Sequence, residues 1–146
     1  MKGWVYIISN KAMPDIVKVG YSNKDPCGRA NELGTGAPHP YQVEYEIIVE
    51  HPRKVEQSAH IILASVNEGK EWFRCDVPTA INAIKQACNG HTIYSEQNTS
   101  YEKLKKHIQE DIDYLQDNSL GILARRKIKR TILERISLLE KHKQDS

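Results

Sequence analysis

This 146-residue chain has no cysteine framework, no long apolar run and no overall excess of charge of one sign. Its three cysteines, Cys27, Cys75 and Cys88, are odd in number and none is spaced C-x-x-C. That argues against disulfide stapling and structural zinc, and for reduced thiols in a cytoplasmic protein. No apolar stretch approaches the roughly 20 residues of a membrane span. Charged and polar residues interrupt the first ten positions, unlike a signal peptide. The expectation is therefore a cytoplasmic protein with no membrane partner. A net charge of +2 excludes a globally basic nucleic-acid binder, and no internal repeat or low-complexity run suggests a solenoid or a disordered tail.

What is present fits an ordinary soluble domain, with 39% apolar and 27% charged residues. The charge is unevenly spread. Between Ile122 and Lys143 stand eight Lys or Arg against two Glu, a local charge of +6 that leaves −4 for the rest.

Residues 3–9, Gly-Trp-Val-Tyr-Ile-Ile-Ser, are too short and too continuously apolar for anything but a buried strand. Turn chemistry follows in Ser9–Asp15. Ile16–Tyr21 then alternates, so the two strands should form an antiparallel hairpin. Asp25-Pro26 reads as the start of a helix that carries Arg29, Ala30 and Leu33 and stops at Gly34. A loop with two glycines and two prolines runs to Pro40, and Gln42–Glu50 alternates as a third strand. His51-Pro52 opens a second helix, with Val55, Ala59, Ile62, Leu63 and Val66 on one stripe. Asn67–Lys70 ends it, Glu71-Trp72-Phe73 reads as a short apolar anchor, and Asp76 caps a third helix that closes at Asn89-Gly90. Residues 91–100 are polar and read as a linker.

Two further helices, 101–117 and 120–143, break at Asp117–Gly121. The expected fold is α+β: a small antiparallel three-stranded sheet flanked by helices (ββαβαα) over residues 1–90, with a charged helical hairpin over 98–146.

Five short motifs, in order, carry a resemblance. They are Val5-Tyr6-Ile7 after Gly3-Trp4, Lys18-Val19-Gly20 followed by Tyr21-Ser22, Arg29 four residues before Leu33, Glu56 in Val-Glu-Gln-Ser-Ala-His, and Glu71-Trp72-Phe73. Over about residues 3–88 the chain resembles the GIY-YIG nuclease superfamily, in the branch related to the phage T5 Orf172 and Mug113 domains. The resemblance implies a metal-dependent DNA endonuclease that hydrolyses phosphodiester bonds with one Mg²⁺ (or Mn²⁺). It further implies that Tyr6 deprotonates or orients the attacking water, that Arg29 contacts the scissile phosphate through its planar fork, and that Glu56 holds the metal. Lys18 stands where many members have the motif's second tyrosine, so that hydroxyl is lost or its part passes to Tyr21. As a neighbouring cation, Lys18 would also favour ionisation of Tyr6, whose ordinary pKa near ~10 makes it a poor base at neutral pH. His60 and His39 are candidate supporting groups.

Each residue also has a plainer reading: core packing for Tyr6, a surface position for Arg29, a solvated first-turn acid for Glu56, a buried packing partner for His60 and a solvated loop histidine for His39. The basic segment with Arg125, Arg126, Lys127, Lys129 and Arg130 fits DNA phosphates, while its Ile128–Ile132–Ile136 stripe fits packing on the first module, on a second copy as a homodimer, or on a protein partner. The alternatives to an enzyme are a non-catalytic DNA-binding domain on the same fold and a regulatory or oligomerising module.

Overall fold

A computed structural model describes residues 1–28, 30, 39–117 and 119–144. Arg29, Leu33, the helix stop at Gly34 and the loop as far as Pro38 lie outside the described residues. The chain divides into two compact units, Met1–Thr99 and Ser100–Ser146.

The first unit is built on strands β1 (Gly3–Asn10), β2 (Val17–Ser22), β3 (Tyr41–Val49), β4 (Asn67–Gly69), β5 (Trp72–Phe73) and β6 (Ile93–Gln97). They form one antiparallel sheet in the order β4-β5-β2-β1-β3-β6. The class is α+β as expected, but the sheet has six strands rather than three. The three additional strands are short or wholly exposed, so no apolar periodicity announces them. Asn67 knits the β4–β5 turn, its side chain accepting from Gly69 N (3.1 Å) and donating to the carbonyls of Lys70 (3.0 Å) and Trp72 (3.2 Å). Gly69 and Lys70 take the positive φ values such a turn needs, 126° and 50°. The stretch that reads as a linker instead supplies β6, which pairs with β3 between Glu46↔Gln97 and Val49↔Ile93.

Helices α1 (Pro52–Ile62) and α2 (Val77–Ala87) cover one face of the sheet. Val5, Ile7, Val17, Val19, Tyr45 and Ile47 meet Val55, Ala59, Ile81 and Ile84 there in the main core. Each such aliphatic side chain contributes about 1.5–3 kcal/mol of burial. Helix α1 ends four residues before the expected Val66, giving way to a single 3₁₀ turn over Ala64–Val66. Val55, Ala59 and Leu63 keep the buried stripe, while Ile62 is exposed. Asp76 caps α2 as its sequence requires, accepting from Thr79 N at 2.9 Å. On the other face Tyr6, Ile8 and Ala30 form a smaller cluster with Tyr41 and Val43. Residues 26–28 and 30 are helical there, and Asp25 Oδ1 accepts from Cys27 N at 2.9 Å.

The second unit is an antiparallel pair, α3 (Thr99–Leu115) and α4 (Ile122–Gln144). Ile108 and Ile132 are its buried apolar residues, and Arg135 of α4 binds Asp111 of α3. No helix among the described residues is long and apolar enough to cross a membrane.

Candidate functional site

Strand β2 has an interrupted outer edge. Strand β5 is two residues long and meets β2 only at Val17 and Lys18. One more bond, Val19 N to Glu71 O at 3.0 Å, ends the pairing, so Gly20–Ser22 have no strand partner on that side among the described residues. Four of the expected site residues gather at this edge, Tyr6 and Lys18 on one face of the sheet and Glu56 and His60 on the other.

From one face comes Tyr6, 1% exposed, level with Gly20 on β2 and Glu46 on β3. A Cβ on Gly20 would lie 2.7 Å from the Tyr6 hydroxyl oxygen and 2.9 Å from Cζ. The tyrosine ring therefore crosses β2 directly over Gly20, and only glycine leaves it room. Lys18 is on the same face, 6% exposed, with Nζ 3.3 Å from Glu71 Oε2.

From the other face comes α1. Val55 and Ala59 bury against the sheet and carry Glu56 and His60, one turn apart, to the rim of the main core. Glu56 is 6% exposed. His60 Nε2 lies 2.7 Å from the Val19 carbonyl oxygen and 3.1 Å from Glu56 Oε1. A carbonyl only accepts, so Nε2 carries the hydrogen and shares it with the carboxylate. The His60 ring also packs 4.9 Å from Phe73, between centroids, which fixes its plane. Burial raises the Glu56 pKa above the usual carboxylate value; Glu71 adds to the rise, and His60 and Arg53 oppose it. The His60–Glu56 pair and the Tyr6 hydroxyl are thus tied to consecutive residues of β2, Val19 and Gly20.

Other expected residues are placed differently. Tyr21 continues β2 on the α1 side and is 38% exposed. His39 lies near the far end of β1, its carbonyl accepting from Asn10 Nδ2 at 3.0 Å, and is not brought to Tyr6. Arg125 is tied up within the second unit, donating to the carbonyls of Leu115 (2.8 Å), Asp117 (2.7 Å) and Leu120 (3.4 Å). Arg126, Lys127, Lys129 and Arg130 are exposed on α4.

Three charged positions are given no role by the sequence pattern. Glu71 reads there as part of an apolar anchor and of the last motif, yet it is the partner of Lys18. Arg53 acts on Glu56 from the preceding turn. Glu46 sits opposite Tyr6, and its Oε2 is buried without a hydrogen-bond partner among the described residues. Burial first, and then Asp25, raises its pKa. The alternation of β3 places Glu46 away from Tyr45 and Ile47; pairing that alternation with Tyr6 is the signal that would have found it.

Among the described residues no group of three or more His, Cys, Asp or Glu forms a ready metal cage. A single buried carboxylate with a second one nearby suits a cation that keeps most of its water, as Mg²⁺ does. The Glu56 carboxylate is of the donor type that a hard divalent ion takes.

The class is an α+β domain in which the motifs of Tyr6, Lys18–Gly20, Glu56 and Glu71–Phe73 meet at one sheet edge. The family model for the T5orf172 domain matches residues 3–88, more than half of the chain, and the chain belongs to that family. No curated protein and no solved structure matches it.

Proposed function

We propose that the protein is a metal-dependent DNA endonuclease of the GIY-YIG type, cutting phosphodiester bonds at the open edge of β2. The observation that carries the reading is the convergence on Val19 and Gly20 of Tyr6 from one face and the His60–Glu56 pair from the other. Family membership supports it.

Hydrolysis needs a water made nucleophilic, charge on the phosphorane balanced, and the leaving 3′ oxygen relieved of charge. Tyr6 accepts or orients the proton of the attacking water. Lys18, on the same face, favours the tyrosinate. Arg29 takes the scissile phosphate in a two-pronged contact. Glu56 would hold Mg²⁺ or Mn²⁺, which when bound supplies positive charge at the phosphate. His60 holds the Glu56 carboxylate by donating to it from a nitrogen already anchored on Val19, and Tyr21 lines the approach.

Plasmid nicking in Mg²⁺ tests this. The wild type nicks; Glu56→Ala, Arg29→Ala and Tyr6→Phe each lose at least about a hundredfold in rate, the usual scale for removing one acid–base or charge-stabilising group. A wild type that binds DNA but cuts no substrate would sink the enzyme and leave a DNA-binding domain on the same fold. The Lys18–Glu71 ion pair, at a position where many relatives have a tyrosine, is the observation that favours that second reading.

A further inference from the structure

Beyond the edge of β2 the first unit has a cleft of about 360 Å³, between the end of β2 (Tyr21, Asn23) and the first turn of α1 (His51, Pro52, Arg53, Lys54). Its floor is set by a close approach: a Cβ on Gly3 would lie 2.9 Å from Pro52 Cγ and 3.2 Å from Asn23 Oδ1, so glycine alone lets α1 start against the strand ends. No acidic side chain lines it among the described residues. Arg53 and Lys54 are exposed and form no ion pair among the described residues. Glu50, the acid next to this turn, is engaged on both oxygens, accepting from the Tyr94 hydroxyl at 2.6 Å and from the amino group of Met1, itself on the cleft's lining, at 3.0 Å.

We propose that this cleft grips the DNA backbone one phosphate or more away from the scissile bond. Two exposed cations are matched to a polyanion, and the Tyr21 hydroxyl, the Asn23 amide and the His51 ring add further donors for phosphate oxygens. The Tyr21 ring, 38% exposed, offers apolar surface to deoxyribose. Tyr21 follows Gly20 on the same strand and Arg53 is close enough to act on Glu56, so a DNA strand lying along the open edge of β2 runs from one place into the other. The inference takes its substrate from the nuclease reading but concerns binding, which is measured without cleavage.

The test is fluorescence anisotropy of a labelled duplex of about 20 base pairs, in EDTA, across roughly 50–200 mM salt. Arg53→Ala/Lys54→Ala is compared with wild type and with Lys11→Ala/Lys70→Asn, which removes two charges elsewhere on the unit. Each neutralised phosphate accounts for about 0.9 in the slope of log affinity against log salt, so the cleft variant's slope falls by about two units and it binds about tenfold more weakly at the middle of that range. Arg53→Lys/Lys54→Arg keeps the slope, because charge is what acts. A wild-type slope in the cleft variant, or an equal fall in the Lys11/Lys70 control, overturns the proposal. Cleavage by the wild type, with a slope that the cleft variant leaves unchanged, removes the cleft and keeps the nuclease. A reduced slope in the cleft variant of a protein that cuts nothing does the reverse.

Discussion

Glu46 lies opposite Tyr6 on β3 with one carboxylate oxygen shut off from water, and the pattern of its own strand would put it in solvent. Its pKa is raised from 4.5, by burial first and by Asp25 second. The folded chain therefore holds the Glu46 proton more tightly than the unfolded chain does. The stabilisation from that proton is complete below 4.5 and is lost as pH climbs through the raised value. Glu46→Gln, which keeps the shape and never ionises, should melt higher than wild type at pH 7 and at the same temperature near pH 4. Thermal melts at the two pH values measure this, and a gain of equal size at both would show that charge is not the cause. The carboxylate was invisible in sequence because a strand's period of two says which residues share a face, not what the neighbouring strands put there. Tyr6 and Glu56 were legible because family motifs mark them. That Gly20 is the space under the Tyr6 ring needed the pairing of β1 with β2.

Whole elements were legible where apolar residues set their period. Strands β1, β2 and β3 and helices α1 and α2 all bury a face, and the bounds of each lie within a few residues of those the pattern implies. Strands β4 and β5 are too short to show a period, and all five residues of β6 are exposed, so it is held by its ladder to β3 rather than by apolar burial. The turn of the second unit repeats the lesson for charge. A run of basic residues suggests one shared role, but Arg125 satisfies carbonyls left open where α3 ends, while its neighbours face water. Arg125→Ala should cost about 1–2 kcal/mol in the hairpin, the scale of charged hydrogen bonds partly open to water. Arg126→Ala and Arg130→Ala should change stability by less than about 0.5 kcal/mol. Helix content followed by circular dichroism through a denaturant titration separates the two, and equal losses at all three positions would undo the distinction.

At the scale of the whole molecule, both clusters of buried apolar residues lie in the first of the two units, and so does every residue proposed for the chemistry. The sheet, α1, α2 and the cleft all fall within residues 1–99. A fragment of residues 1–99 should thus fold alone with a cooperative melt and still nick DNA in Mg²⁺. If α4 grips phosphates through Arg126, Lys127, Lys129 and Arg130, deleting it removes up to about 3.6 units of salt slope, at about 0.9 for each of four phosphates. The fragment would then need much more DNA or much less salt to reach the same nicking rate. If instead the fragment binds with the full chain's slope, the basic face of α4 does not touch DNA. Its exposed Ile122, Leu123 and Leu133 would then point to a protein surface or a second copy, and sedimentation of the full chain against the fragment separates those two. Loss of cleavage in a fragment that still folds and binds would place part of the catalytic machinery in residues 100–146, against the division of labour that the two units imply.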